Sequence, residues 1–252
     1  MRLMPQKPDY GIDAPGVVRN LLVIGVVLIL SGILFPVIHI GQVTILWSAS
    51  AFWPGGSFLL SGFLMLAYAK WGKFRHRDRM LNMISWRGDE QVLDVGTGRG
   101  LLLIGAARRL TTGKSIGIDV WSTKDLSGNA LERTQANVEV EGVKGKVELR
   151  SDDARKLSFA DDAFDVVLSN LCIHNIPDKQ GRAQACREIA RVLKPGGTAL
   201  ISDFVLTGFY KKAFEQEGLK TSRTAFNFLT YPPLRVVRAE KKAGQQASAV
   251  KD

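Results

Sequence analysis

Charge is missing from a long internal stretch of this sequence. No Asp, Glu, Lys or Arg occurs between Asn20 and Ala69. Roughly 20 apolar residues suffice to cross the hydrocarbon core of a bilayer, whereas the apolar core of a cleaved signal peptide is shorter and ends at a small-residue cleavage site. The stretch is also apolar on all sides, which disfavours a helix on the surface of a soluble domain. We therefore predict two transmembrane helices within residues 17–71.

The first span is expected over residues 17–38 and the second over residues 57–71, with a start that could lie before Trp53. Between them the sequence is rich in aromatic residues and contains a Pro54-Gly55-Gly56 break. Aromatic residues beside turn residues are typical of a membrane–water interface. We therefore expect an antiparallel pair of helices joined by an aromatic connection.

Cysteine is scarce, with Cys172 and Cys186 alone in the chain. Their spacing does not fit a metal site, and two cysteines are too few for a disulfide framework, so free thiols in a reducing compartment are expected. Cys172 has apolar neighbours and is expected to be a core residue rather than a nucleophile. No metal site is predicted.

Basic residues give the chain a net charge of +10, and they flank the uncharged stretch on both sides. The positive-inside rule then places both ends of the chain in the cytoplasm, in a multi-pass membrane protein. The cluster after the second span is expected to contact anionic lipid head groups, and because it lies at the bilayer, no nucleic acid partner is expected. The flanking residues are Arg2, Lys7 and Arg19 on one side and Lys70, Lys73, Arg75, Arg77 and Arg79 on the other.

The rest of the chain divides into three parts. Residues 1–16 contain several prolines and glycines and are expected to be disordered. Residues 72–240 alternate between strand-like and helix-like segments, which predicts a doubly wound parallel α/β sheet. Its last two strands form a hairpin, so an antiparallel strand is expected at one edge. Residues 241–252 are polar and are expected to be a disordered tail.

A glycine-rich turn follows the first strand of this domain. Gly96, Gly98 and Gly100 lie at every second position after the apolar run that ends in Asp94 and Val95, and a helix-like segment follows. Glycines permit positive φ and a close approach of a ligand to the backbone. The dinucleotide motif has a wider third spacing, which disfavours a nicotinamide oxidoreductase, and Asp94 would repel a pyrophosphate but suit a ligand with an ammonium group.

Two further acidic residues follow neighbouring strands. Asp119 ends the second strand, where a carboxylate can accept hydrogen bonds from both hydroxyls of a ribose; the alternative is a turn or capping aspartate. Trp121 could stack on an adenine or pack locally. Asp152 and Asp153 follow the third strand, where the alternative to a binding role is a solvated acidic loop.

These segments resemble the class I S-adenosylmethionine-dependent methyltransferases. The resemblance rests on the glycine motif, on residues 164–170 and on residues 187–197, where a helix ends in Pro195-Gly196-Gly197. It covers residues 72–240 and is strongest for the branch that methylates small molecules, quinones and lipids. It implies a Rossmann-like seven-stranded sheet and S-adenosyl-L-methionine as cofactor. It also implies a set of cofactor-binding residues: Asp94, Gly96, Thr97, Gly98, Gly100, Asp119, Val120, Asp153, Ala154 and Asn170.

Two departures from the family pattern accompany the resemblance. Asp152 replaces the usual glycine before Asp153, which could alter the loop, and Thr97 stands where many relatives carry Cys or Ser. The Asn-Pro-Pro-Tyr motif of amide and adenine methyltransferases is missing, which argues against those acceptors. His174 lies where the family brings the acceptor to the methyl group, and it could be a general base or a structural hydrogen-bonding residue.

The expected function is therefore methyl transfer at a membrane to a lipophilic or small-molecule acceptor. The acceptor pocket is expected at the carboxyl ends of the fourth and fifth strands of the domain. Six apolar or aromatic residues are expected near it: Leu171, Ile173, Phe204, Phe209, Phe226 and Phe228. The alternative is a catalytically silent domain that binds the cofactor and serves as a membrane scaffold.

Overall fold

A computed structural model describes residues 7–123 and 125–244. The uncharged stretch forms two antiparallel helices, α1 (Pro15–Leu34) and α2 (Trp47–Ala67), joined by a short hairpin of β1 (Ile38–Ile40) and β2 (Val43–Ile45). Pro15 occupies the first turn of α1, where its missing N–H costs nothing. By length and composition, α1 and the helix that starts at Trp47 could each cross a membrane.

The expected break at Pro54-Gly55-Gly56 is wrong, because all three residues lie inside α2. Close helix packing explains why a helix forms across them. A Cβ on Gly55 would lie 3.0 Å from Ile29 Cδ1, and a Cβ on Gly25 would lie 2.7 Å from Leu59 Cγ. Small residues that let two apolar helices approach closely are a common basis of helix pairing in membranes. Packing across the pair thus outweighs the local turn signal.

The second helix continues into the domain without a loop. A π-helical turn (Tyr68–Gly72) leads directly into α3 (Lys73–Leu81). Met80 and Leu81 at its end are fully buried in an apolar cluster beneath the sheet. Lys73 is also buried, and its Nζ donates to the carbonyl oxygens of Tyr10 and Gly11 at 2.7 and 2.5 Å. The expectation that Lys73 contacts lipid head groups is therefore wrong.

The domain follows the predicted alternation of strands and helices. Its elements are β3 (Gln91–Val95), α4 (Leu101–Ala107), β4 (Lys114–Asp119), α5 (Leu131–Val140), β5 (Val147–Ser151), β6 (Phe164–Asn170), α6 (Lys179–Val192), β7 (Leu193–Asp203), α7 (Thr207–Gln216), β8 (Lys220–Arg223) and β9 (Arg235–Glu240). The strand order is β5-β4-β3-β6-β7-β9-β8, and β9 runs antiparallel to both of its neighbours. The predicted Rossmann-like sheet with an antiparallel last strand is confirmed. The expected position of that strand at the edge is wrong, because β9 lies between β7 and β8 and β8 forms the edge.

This strand order determines where a ligand can bind. Chain connections run from β3 outward through β4 to β5, and then return to β6 on the other side of β3. In open α/β sheets, ligands bind in the crevice that such a reversal leaves at the carboxyl ends of the strands. The crevice here is bounded by the loops that follow β3 and β6.

The start of the chain differs from the expected disorder. In the N-terminal segment (residues 7–14), Tyr10 is buried against Phe74, with ring centroids 5.4 Å apart. The segment also pairs with the loop after β4, because Ala14 N donates to Asp125 O at 2.9 Å and Ser127 N donates to Ile12 O at 3.0 Å. Contacts distant in the sequence therefore order residues 7–14. Residues 1–6 and 245–252 lie outside the described residues.

Candidate active site

The glycine-rich loop between β3 and α4 adopts the backbone conformation that its sequence predicts. Gly96, Gly98 and Gly100 have φ values of 72°, 51° and 83°, which residues with a Cβ rarely adopt. A Cβ on Gly96 would overlap the side chain of Cys172. Gly100 is the N-cap of α4, and a Cβ there would press on Thr134 at 3.1 Å. Gly96 thus permits the loop to pack closely against Cys172, and Gly100 permits the start of α4 to pack closely against Thr134 of α5.

Asp94 is a buried carboxyl group beneath this loop, with 2% of the residue exposed. Its Oδ2 accepts hydrogen bonds from Thr97 Oγ1 at 2.8 Å and from Leu103 N at 2.9 Å. Burial disfavours the charged form and raises the pKa of Asp94 to about 7, against the lowering effect of these two hydrogen bonds. Asp94 therefore titrates in the physiological range.

Asp119 organises the neighbouring loop. Its Oδ2 accepts from Gly98 N at 2.8 Å, and its Oδ1 accepts from Trp121 N at 2.6 Å and from Asn129 Nδ2 at 3.2 Å. Asn129 is buried, and its Oδ1 has no hydrogen-bond partner among the described residues. A buried acceptor without a partner costs free energy unless a ligand supplies a donor.

Trp121 is held against the end of β5 rather than over the crevice. Its indole Nε1 donates to Ser151 Oγ at 2.8 Å, which favours local packing of the two options left open by the sequence. The adjacent Val120 is exposed and lines the crevice. Val120 rather than Trp121 therefore offers an apolar surface beside Asp119.

The acidic pair after β5 has two separate roles. The Oδ2 of Asp152, the residue that replaces the family glycine, accepts from Ser158 N at 3.0 Å and Ser158 Oγ at 2.7 Å and so closes the loop. Asp153 pairs with Arg155, and this hydrogen-bonded guanidinium lowers the pKa of the Asp153 carboxyl. The unusual Asp152 is thus accommodated by a loop contact, and the pairing keeps Asp153 ionised.

His174 lies in the short turn after β6 and is oriented by a buried acid. Its Nδ1 is 3.0 Å from Oδ2 of Asp203, the last residue of β7. The same oxygen accepts from Tyr210 Oη at 2.9 Å, and Asp203 Oδ1 accepts from Phe204 N at 2.8 Å. Because a carboxylate accepts hydrogen bonds, it favours the tautomer with the proton on Nδ1. Nε2, which has no hydrogen-bond partner among the described residues, is then a free proton acceptor.

A cavity of about 960 Å³ joins these parts. Ten predicted site residues line the cavity: Asp94, Gly96, Thr97, Gly98, Asp119, Val120, Asp153, Ala154, Asn170 and His174. Gly100, the remaining predicted residue, does not line the cavity. At its other end the cavity is lined by Val17 and Leu21 of α1 and by Ser61 and Met65 of α2. It thus extends from the glycine loop to the two apolar helices.

The expected apolar neighbours of the acceptor are only partly correct. Leu171 and Phe204 line the cavity. Ile173 is buried in the core and Phe209 packs against that core, because their turns direct them away from the crevice. Phe226 and Phe228 are exposed on the surface. The last two predictions fail because the loop that carries them turns outward.

Five polar or aromatic residues that sequence reasoning missed also line the cavity. Arg99 lies between the second and third glycines of the motif, and its guanidinium pairs with Asp9 at 2.5 Å. The N-terminal segment contributes Tyr10 and Asp13. No sequence signal connects that segment with a site about ninety residues later. The five residues are Tyr10, Asp13, Lys73, Arg99 and Asn129.

The fold and this crevice define the class I methyltransferase architecture. Residues 92–197 match the family model described as a methyltransferase domain. In structure, the chain is similar to an S-adenosylmethionine-dependent methyltransferase from Aquifex aeolicus, with a TM-score of 0.52 and 20% identity over 65% of this chain and 88% of that one. At this identity the likeness shows the fold.

Curated relatives point in the same direction. The chain is 32% identical to methyltransferase GfsG of Streptomyces halstedii over 64% of this chain and 56% of the relative. It is 33% identical to the ubiquinone/menaquinone biosynthesis C-methyltransferase UbiE of Geotalea daltonii over 48% of each. The chain thus spans about half the length of the curated relatives it matches. With the class I fold, these matches indicate S-adenosyl-L-methionine as the cofactor.

The residues of the crevice fit this cofactor. Asp119 and the unpartnered Oδ1 of Asn129 supply hydrogen-bond acceptors where a ribose offers hydroxyl donors. The glycine loop leaves its backbone open to close approach, and Asp94 suits the positive charge of the methionine part. The cavity is near the upper end of the roughly 300–1,000 Å³ typical of ligand sites, which leaves room for a second ligand.

We expect cofactor binding to depend on pH through Asp94. The free protein binds a proton at Asp94 below a pH of about 7, whereas a bound cation favours the carboxylate, so binding releases a proton. Affinity should therefore rise as pH increases toward 7, by at most about tenfold per pH unit, and level off above it. Titration calorimetry across this range measures the slope, and Asp94→Asn should remove it. If the affinity of the unsubstituted protein did not change with pH, the protonation of Asp94 would not be coupled to the charge of the ligand.

Proposed function

We propose that the protein is a membrane-anchored S-adenosylmethionine-dependent methyltransferase that acts on a lipophilic acceptor. One observation carries this proposal: the cavity that holds the glycine loop and His174 is continuous with the surfaces of α1 and α2. An acceptor with an apolar body could lie along Val17, Leu21 and Met65 while its polar end reaches His174. A small soluble acceptor would leave these apolar residues without a partner.

The chain's own residues would perform three tasks in this reaction. When bound, S-adenosylmethionine supplies an electrophilic methyl group. Asp119, Asn129 and the glycine loop would hold the cofactor, and Asp153 would accept a hydrogen bond from its adenine amino group. Leu171 and Phe204 would exclude water from the crevice, since methyl transfer requires alignment and shielding more than strong acid–base help.

His174 would accept the proton that the acceptor loses. Asp203 holds Nδ1 of the imidazole at 3.0 Å, which leaves Nε2 to take a proton from a hydroxyl or amine as its oxygen or nitrogen gains the methyl group. Asp203 then stabilises the imidazolium that forms. A carbon acceptor activated by a neighbouring hydroxyl would use the same proton transfer.

The membrane placement is part of the proposal and rests on the apolar helices. Most of the side chains of α1 and α2 that do not face each other are exposed apolar residues, which water would not favour. Basic residues on both sides of the uncharged stretch support a cytoplasmic location for the domain. The two helices precede residues 92–197, which match the family model.

Incubation of the full chain in its membranes with labelled methyl donor tests the function. Lipid, quinone, protein and RNA fractions are supplied separately, and we expect label in the lipid or quinone fraction with stoichiometric S-adenosylhomocysteine. The Gly96→Val variant, which cannot form the loop beside Cys172, serves as the inactive control. Tight cofactor binding without product in any fraction would instead support the silent scaffold. Label confined to a water-soluble acceptor would contradict a lipophilic substrate.

A further inference from the structure

The loop between β8 and β9 (residues 224–234, here called the aromatic loop) exposes large apolar side chains. Phe228 is 80% exposed and Leu229 is 76% exposed, and the Phe226 ring lies 6.2 Å from that of Phe228. Solitary exposed apolar residues are common, but a contiguous group marks a binding surface. The cavity does not use these residues, so they need a separate explanation.

The outward position of these residues is fixed by the fold. Asn227 and Thr230, two polar residues in the middle of the aromatic loop, are buried instead. Asn227 N donates to Leu234 O at 2.7 Å, and Thr230 Oγ1 donates to Asn227 O at 2.6 Å. Asn227 also contacts the His76 ring on α3. The loop thus turns its polar side chains inward and its apolar ones outward, the reverse of an ordinary surface loop.

The aromatic loop lies beside the second apolar helix. Tyr231 Oη donates to Ser61 Oγ on α2 at 2.7 Å. Ser61 precedes Lys70, the first charged residue after the uncharged stretch, by about 13 Å along the helix axis. If α2 lies in a bilayer, the loop contacts the helix at Ser61, which is deeper in the bilayer than Lys70. The exposed apolar residues then lie at the depth of the acyl chains or of the head-group boundary.

The charges around the aromatic loop identify the surface that covers it. The Arg235 guanidinium lies 4.4 Å from the centre of the Phe226 ring, and Lys70 Nζ lies 4.9 Å from that of Trp71, which is 58% exposed. No Asp or Glu occurs between Gly218 and Ala239. Aromatic residues beside Lys and Arg are typical of the membrane interface, and basic residues around an apolar loop suit anionic lipid rather than a second copy of this basic chain.

We propose that the aromatic loop inserts Phe226, Phe228 and Leu229 into the surface of an anionic bilayer beside α2. The inference rests on the membrane placement in the proposed function and is independent of methyl transfer. The domain then has two attachments to the membrane, the helix pair and this loop, and the mouth of the cavity between them faces the lipid.

Fluorescence quenching by lipid-bound nitroxides tests this insertion in the full chain. The protein is reconstituted in vesicles of phosphatidylcholine and phosphatidylglycerol, and Phe228→Cys carries an environment-sensitive label. Phe63→Cys, on an exposed face of α2, is the positive control. Thr112→Cys, in an exposed loop at the opposite edge of the sheet, is the negative control. Unsubstituted protein, with Cys172 and Cys186, gives the background.

We expect the Phe228 label to lose fluorescence to the same degree as the Phe63 label, while the Thr112 label keeps its fluorescence. A Phe228 label that behaves like Thr112 would overturn the inference. A blue-shifted but unquenched Phe228 label would also overturn it, because protein rather than lipid would then cover the loop. If the Phe63 label were unquenched as well, the membrane placement itself would be wrong. None of these results depends on turnover, so failure of the methyltransferase assignment is detected separately.

Discussion

Replacement of His174 by glutamine is expected to lower kcat by about 10²- to 10⁴-fold, the usual contribution of a positioned general base. Glutamine keeps the size and polarity of the side chain but cannot accept a proton at neutral pH. Cofactor affinity should stay unchanged, because the imidazole faces the acceptor end of the cavity. Steady-state rates with the acceptor that the labelling experiment identifies, together with calorimetric binding of S-adenosylhomocysteine, measure both quantities.

Two companion variants distinguish proton transfer from a structural effect. Asp203→Asn should also lower kcat, because an amide in place of the carboxylate no longer fixes the proton on Nδ1 or stabilises the imidazolium. His39→Gln is the matched control, since His39 lies in the exposed hairpin between the two apolar helices. A kcat for His174→Gln within twofold of the unsubstituted value would mean that His174 only supports the loop.

Replacement of Asp119 by alanine should raise the Kd for S-adenosylhomocysteine by at least about 100-fold. Hydrogen bonds to a charged group contribute about 1.5–3 kcal/mol each, and the ribose would supply two of them. Part of the loss in binding free energy comes from the protein itself, because the backbone N–H groups of Gly98 and Trp121 lose their hydrogen-bond acceptor and the loops are less well ordered. Asp119→Asn should have a smaller effect, since one oxygen remains.

The control for this variant is Asp89→Ala. Asp89 is an exposed acid just before the amino end of β3, whereas the crevice lies at the carboxyl ends of the strands, so its loss should leave Kd unchanged. Thermal unfolding without ligand reports whether Asp119→Ala alters the loop in the free protein. Unchanged affinity in a folded Asp119→Ala protein would contradict the assignment of Asp119 to the ribose.

Local sequence signals predicted the central sheet and the glycine loop well. The end of β3 at Val95 was predicted correctly, because an apolar run that stops at closely spaced glycines has few alternatives. The positive φ values of Gly96 and Gly98 and the position of Asp119 follow from the same short-range pattern. The cofactor half of the cavity was therefore accessible to sequence reasoning.

The acceptor half was not accessible, because it depends on contacts between distant parts of the chain. Nothing in the order of residues indicates that Asp9 pairs with Arg99, or that helix packing against Gly55 outweighs a Pro-Gly-Gly turn signal. In the aromatic loop, Phe226 and Phe228 were expected near the acceptor pocket. The contact of the Asn227 side chain with His76 on α3, together with hydrogen bonds within the loop, turns these aromatic residues outward instead.

The N-terminal segment limits how a water-soluble version of this protein can be prepared. The backbone of Asp9 exchanges two hydrogen bonds with the Asn137 side chain at 2.9 Å each, and Lys73 binds the carbonyl oxygens that follow. Truncation at Gly72 would remove both apolar helices but also one wall of the cavity and the partner of Arg99. Excision of residues 15–67 with a flexible linker in their place would preserve the wall that the N-terminal segment forms, and would remove only the end of the cavity that α1 and α2 line. For biochemists, the part of the chain to delete is therefore internal rather than terminal.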